Sequence, residues 1–131
     1  MLKILLVDDE NLLTNIVRRH LINLNTNHPR FEVITANSYN SAIEAIILHK
    51  FDLAFIDIIL PGDNPNQRGF DFLQELKENQ PDCKAYIWSG VPSSTNIARA
   101  VELGAADFIE KPFTPDDITR RIEASETKIW C

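Results

Sequence analysis

Asp8, Asp9 and Asp57 are the residues best placed for chemistry, because each stands where an apolar run stops: Leu2-Lys3-Ile4-Leu5-Leu6-Val7 before the pair, Leu53-Ala54-Phe55-Ile56 before Asp57. In a parallel sheet the carboxyl ends of buried strands face the crevice where ligands bind, so two such runs side by side bring three carboxylates together. Two bare carboxylates about 4 Å apart repel by roughly 1 kcal/mol in water and by about 4 kcal/mol at an effective dielectric near 20. A hard divalent cation reverses that repulsion, and oxygen ligands suit it. Two more polar residues stand past later apolar runs: Ser89 after Ala85-Tyr86-Ile87-Trp88, and Lys111 after Phe108-Ile109-Glu110.

The elements that must position these side chains alternate along the chain. Leu2 to Val7 reads as a continuous buried strand, and Leu13, Ile16, Val17, Leu21 and Leu24 then recur at helical spacing with Arg18 and Arg19 on the other face. The segment 25–29 breaks that helix. Phe31 to Ala36 is a second strand, and Ser38 caps a helix that turns Ala42, Ile43, Ala45, Ile46 and Ile47 inward. Leu53 to Ile56 is the third strand. A Pro/Gly/Asn-rich stretch over 60–69 then reads as a mobile loop before a helix holding Phe72, Leu73 and Leu76. Lys84 to Trp88 is the fourth strand, followed by a helix from Ser93 to Leu103 that stops at Gly104. Asp107-Phe108-Ile109 is a short last strand, and Thr114 caps a final helix with Pro115 in its first turn and Ile118, Ile122 and Ile129 on one face. Repeated strand–helix units imply right-handed crossovers and a parallel sheet covered on both sides. The expectation is a doubly wound α/β domain of five parallel strands in the flavodoxin-like order 2-1-3-4-5, which makes strands one and three neighbours at the switch point.

The set Asp8-Asp9, Asp57, Ser89-Gly90, Gly104-Ala105-Ala106-Asp107-Phe108 and Lys111-Pro112-Phe113 resembles the receiver domain of two-component response regulators, and the likeness spans nearly the whole chain. The resemblance implies that Asp57 is the phosphoacceptor, taking a phosphoryl group from a phosphohistidine of a sensor histidine kinase or phosphotransfer protein. It implies that Asp9, Asp57 and the main-chain carbonyl of Ile59 coordinate Mg²⁺, that Asp8 acts through a bound water, and that Lys111 holds a phosphoryl oxygen. Ser89 takes the place of the switch hydroxyl and Phe108 that of the switch aromatic. Lacking a hydroxyl, the Phe108 ring is expected inward more often than tyrosine would be. The family also leads us to expect a cis Lys111–Pro112 bond. Two departures stand out: the stretch between Asp57 and Gly69 is longer than the family's, with Asp63, Asn64 and Pro65 inserted, and Ile59 and Val91 are apolar where the family flanks the path of the hydrolytic water.

The rest of the chain limits the alternatives. Its 131 residues fit a single domain, 1–131, and 13 Lys and Arg against 19 Asp and Glu give a net charge of −6, which disfavours direct nucleic-acid binding. The opening apolar run is too short for a signal-peptide core or a membrane span, so the expected location is the cytoplasm. Cys83 and Cys131 lack the neighbours of a zinc site or redox pair, and His20, His28 and His49 lack ligand spacing. A Mg²⁺-dependent phosphatase with an aspartate nucleophile, of the haloacid-dehalogenase type, would place two aspartates two residues apart after the first strand; that spacing here pairs Asp8 with Glu10. A degenerate receiver used only for protein contacts is the third reading. Family precedent further suggests that an output domain, partner protein or second copy docks on the surface of the fourth helix, fifth strand and fifth helix, where Arg120-Arg121 fall.

Overall fold

The computed structural model describes residues 1–25, 30–60 and 68–130, the last five of these as backbone only. Their elements run β1 (Leu2–Val7), α1 (Asn11–Asn23), β2 (Phe31–Ala36), α2 (Tyr39–Leu48), β3 (Leu53–Asp57), α3 (Arg68–Asn79), β4 (Lys84–Ser89), α4 (Ser94–Glu102), β5 (Asp107–Glu110) and α5 (Pro115–Trp130). The strands form one parallel sheet in the order β2-β1-β3-β4-β5, as expected from the alternation of strand and helix patterns.

Each central strand is apolar throughout because it is covered on both sides. Alternate residues divide between two cores. Ile4, Leu6, Leu53, Phe55, Tyr86, Trp88 and Ile109 meet α1 and α5 through Val17, Leu21, Ile118 and Ile122. Leu5, Val7, Ala54, Ile56, Ala85 and Ile87 meet α2, α3 and α4 through Ala42, Ala45, Ile46, Phe72, Leu73, Leu76 and Ala100. Trp88 is the largest fully buried side chain, and its indole N–H donates to the Val7 carbonyl at 3.2 Å, tying β4 to the end of β1. Phe55 stacks on Tyr86, and Phe113 stacks on Trp88.

The ends of the elements follow local chemistry. Ser38 caps α2, accepting from the Ser41 amide while the Ser41 hydroxyl accepts from the Ser38 amide. Ser93 accepts from the Asn96 amide at the start of α4, and Gly104 ends that helix region at φ +97°, a conformation glycine adopts freely. Thr114 and Asp117 exchange side-chain and backbone bonds at the start of α5. The Lys111–Pro112 bond is cis.

Two helical stripes differ from the expected ones. Ile16 is 47% exposed and Ile47 75% exposed, although the helical spacing places both on inward faces. In α1 the buried line is Thr14, Val17 and Leu21, with the Thr14 hydroxyl satisfied by the Asn11 carbonyl, so Ile16 falls about one 100° step to the side. In α2 the small Ala42 and Ala45 seat the helix closely with Ile46, which swings Ile47 outward. The strands are also slightly longer than expected: Asp57 is the last residue of β3 and Ser89 the last of β4. Of the expected features, the inserted residues Asp63, Asn64 and Pro65, His28, Cys131 and the side chains of Ile129 and Trp130 lie outside the described residues.

Candidate functional site

Asp8, Asp57 and Lys111 come together because each follows its strand by the same alternation. Asp8 continues the Ile4 and Leu6 side of β1, Asp57 the Leu53 and Phe55 side of β3, and Lys111 the Ile109 side of β5. One oxygen from each of Asp8, Asp9 and Asp57 lies within 4.8 Å of the others. The Lys111 ammonium donates to Asp8 Oδ2 at 2.7 Å, Glu10 Oε1 at 3.1 Å and Asp57 Oδ2 at 3.3 Å. Asp8 is fully buried and Asp57 nearly so, whereas Asp9 is exposed. The Asp8 carboxylate also accepts from the Glu10 amide at 2.9 Å, and the Ile59 amide points at Asp57 Oδ1 at 3.4 Å.

Burial is the main influence on both inner carboxyl groups. It raises Asp8 above the ordinary aspartate range against the Lys111 hydrogen bond, and together with the Asp8 charge it pushes Asp57 up to about 6. Burial alone would lower Lys111, but its bond to Asp8 and the charges of Asp57 and Asp8 outweigh that and hold the ammonium protonated. Three carboxylates, of Asp8, Glu10 and Asp57, thus share one ammonium, with that of Asp9 close by, in and around a cleft of about 320 Å³ lined by Asp9, Glu10, Asp57, Ile59, Ser89, Gly90, Val91 and Lys111. The excess of hard oxygen donors over cations, with Asp9 open to solvent, fits a divalent ion such as Mg²⁺. A larger groove of about 760 Å³ between the ends of α2 and α3 holds no such cluster among the described residues.

Ser89 is fully buried at the cleft wall, where its hydroxyl accepts from the Val91 amide at 3.1 Å. Phe108 is half-buried against the α2, α3 and α4 core, and its register partner on β4 is Ile87, two residues before Ser89. Ser89 and Phe108 therefore share the side of the sheet opposite to Asp8 and Asp57. Ile59 and Val91, both exposed, stand at the cleft mouth. Arg121 pairs with Asp107 and Arg120 with Asp117, so neither arginine is a bare surface charge. His20 and His49 serve as ties between elements, to Thr119 and Lys3 respectively, rather than as ligands.

Sequence reasoning missed Glu10 as a partner of Lys111. The signal available was a third acid directly after the pair, at a helix start where glutamate is not a favoured cap.

A parallel sheet with acids at the ends of its first and third strands and a lysine after its fifth is the arrangement of a receiver. The sequence profile of the response regulator receiver domain matches residues 4–123, and the chain belongs to that family. It is similar to the chemotaxis protein CheY of Thermotoga maritima, 30% identical over 56% of this chain and 58% of that one. It is likewise 30% identical to the photosynthetic apparatus regulatory protein RegA of Cereibacter sphaeroides, over 54% of this chain and 36% of that one. Among solved structures, a CheY-like receiver domain protein of Methanospirillum hungatei superposes with a TM-score of 0.86 at 26% identity, covering 98% of this chain and 95% of the other. The receiver domain of NtrX from Brucella abortus gives 0.78 at 33% identity, covering 92% and 95%. The chain spans little more than half of the CheY sequence and about a third of RegA.

Proposed function

We propose that the chain is a single receiver domain, 1–131, in which Asp57 accepts a phosphoryl group from a phosphohistidine of a sensor histidine kinase or phosphotransfer protein. The observation that carries this reading is the Lys111 ammonium bonded to Asp57 at the edge of a three-aspartate cluster. An Asp57 carboxylate oxygen attacks phosphorus, the P–N bond to the donor imidazole breaks, and its electron pair stays on the imidazole nitrogen. The product is an acyl phosphate. An ionised carboxylate needs no base to attack, and burial beside a lysine keeps Asp57 oriented toward the cleft. Asp9, Asp57 and the Ile59 carbonyl would hold Mg²⁺, with Asp8 acting through a water, and the ion would neutralise charge on the transferring oxygens. Lys111 takes one phosphoryl oxygen as a point charge. Ser89 then turns to the phosphoryl group and Phe108 fills the space it leaves, shifting the population of states that partners read.

Leu12 and Ile16 on α1 are exposed apolar residues that a donor protein could cover, while α4, β5 and α5 offer a face to an output domain, a partner or a second copy. No helix among the described residues is long and apolar enough to cross a membrane, and we place the protein in the cytoplasm.

Incubation with acetyl phosphate and Mg²⁺, followed by intact mass measurement of wild type and Asp57→Asn, tests the reading. A stable single adduct on wild type alone supports it. Multiple turnover of a phosphoester would instead make the protein a phosphatase, and no adduct would leave an interaction-only module. Because Ile59 and Val91 offer no polar atom to orient a hydrolytic water, the adduct is expected to persist for minutes or longer once donor is removed; loss within seconds in Mg²⁺ contradicts this.

A further inference from the structure

We infer that Glu10 is a positioning residue that competes with the phosphoryl group for the Lys111 ammonium and so restrains phosphorylation of the resting protein; the inference rests on Asp57 being the phosphoacceptor. A lysine ammonium has three N–H donors, and Asp8, Glu10 and Asp57 occupy all three. A phosphoryl oxygen can therefore be taken up only as a present partner is weakened or released. The three partners differ in what release costs. Asp8 is fully buried, and without Lys111 its charge would be left in a low-dielectric site. Asp57 loses charge from its attacking oxygen as the acyl phosphate forms, but its group stays in place. The Glu10 side chain is 61% exposed and returns to water at little cost, so it is the partner the lysine gives up.

The local backbone supports a role beyond the helix. Glu10 stands at the N-cap of α1 (φ −81°, ψ 89°) yet makes no side-chain cap bond, although Asp, Asn, Ser or Thr there would satisfy a free amide. Its longer side chain reaches across the cleft to Lys111 instead, while its amide is fixed by Asp8 Oδ1. A local rule is thus broken where the site is built, as happens at functional positions. The same carboxylate lines the cleft mouth, where its charge opposes any anionic donor.

Beryllofluoride, a mimic of the phosphoryl group on a carboxylate, separates this inference from the reading beneath it. Its affinity is measured at saturating Mg²⁺ by Trp88 fluorescence in a Trp130→Phe background, with Glu10 intact, Glu10→Gln or Glu10→Ala. Both neutral variants are expected to bind about two- to five-fold more tightly at low salt, the range of an exposed ion pair. The gain should fade toward none in about 1 M sodium chloride, where the screening length is about 3 Å. Equal or weaker binding by the neutral variants, or a gain that salt leaves untouched, overturns the role of Glu10 while Asp57 stands. Failure of the Glu10-intact protein to bind overturns the phosphoacceptor reading itself.

Discussion

At the scale of single residues, the pocket is an unequal contest between burial and pairing. Asp8 is wholly enclosed, and its charge is sustained by one lysine and one backbone amide. Replacing Lys111 with Met should therefore cost about 3 kcal/mol of stability in the absence of metal at neutral pH, because an uncompensated buried carboxylate remains. Adding Asp8→Asn should recover much of that loss. Urea unfolding in EDTA checks both, and a Lys111→Met penalty equal with and without Asp8 would sink the argument. Cys83 gives a separate test with the opposite chemistry. Burial pushes its thiol from 9.0 up to about 12, so the folded state resists ionisation that the unfolded chain undergoes freely. A raised folded pKa means that the contribution to stability is complete below about pH 9 and is lost as pH climbs toward 12, at up to about 1.4 kcal/mol per pH unit. Wild type should accordingly lose stability faster than Cys83→Ala between pH 8.5 and about 10.5. Parallel curves for the two proteins would show that the thiol does not titrate as its burial requires. The aspartates and Lys111 were legible as residues because each follows an apolar run; Glu10 was not, since its significance lies in a contact across a sequence separation of 101 residues.

At the scale of elements, strand periodicity was easier to read than helix orientation. Continuous apolar runs flanked by turns admit few placements, and all five strands lie where those runs lie. A helix stripe is decided by which residues are small enough for close approach, and this is why Ile16 and Ile47 turned outward while Thr14, Ala42 and Ala45 turned in. The start of α3 shows the same dependence on close approach. The Gly69 amide donates to the Ile58 carbonyl at 2.8 Å, and a Cβ on Gly69 would sit 1.9 Å from the Asp57 carbonyl oxygen. That gap is too small for any side chain, so the helix abuts the strand that carries Asp57. Gly69→Ala must displace the end of β3 or of α3, costing about 1–3 kcal/mol and moving Asp57 relative to Lys111. The expected result is a lower melting temperature together with slower labelling by acetyl phosphate. Wild-type stability and labelling rate in Gly69→Ala would mean that the helix start shifts freely.

At the scale of the whole molecule, the sheet separates Asp8, Asp57 and Lys111 from the two residues proposed to read them out. Asp8, Asp57 and Lys111 belong to the α1 and α5 side, whereas Ser89 and Phe108 belong to the side covered by α2, α3 and α4. The fold order was legible because it follows from right-handed crossovers; this division was not, because it depends on where each strand stops, and both Asp57 and Ser89 proved to be terminal strand residues rather than loop residues. The proposed switch would have to pass between the two sides through the strand ends. Ser89 is placed for that passage: its hydroxyl lies at the cleft wall, and its backbone carbonyl accepts from the Lys111 amide at 2.8 Å, joining β4 to the segment after β5. In the resting protein the hydroxyl is held by the Val91 amide, a bond that must break if it is to turn toward a phosphoryl group. Ser89→Ala should then leave labelling of Asp57 within a few-fold of wild type, since neither the acids nor Lys111 are touched. It should, however, abolish most of the change that beryllofluoride induces at Phe108 and along α4, read as amide chemical shifts. A variant whose Phe108 and α4 respond as fully as wild type would show that the signal crosses the sheet by a route other than the Ser89 hydroxyl, with the strand ends moving as rigid bodies.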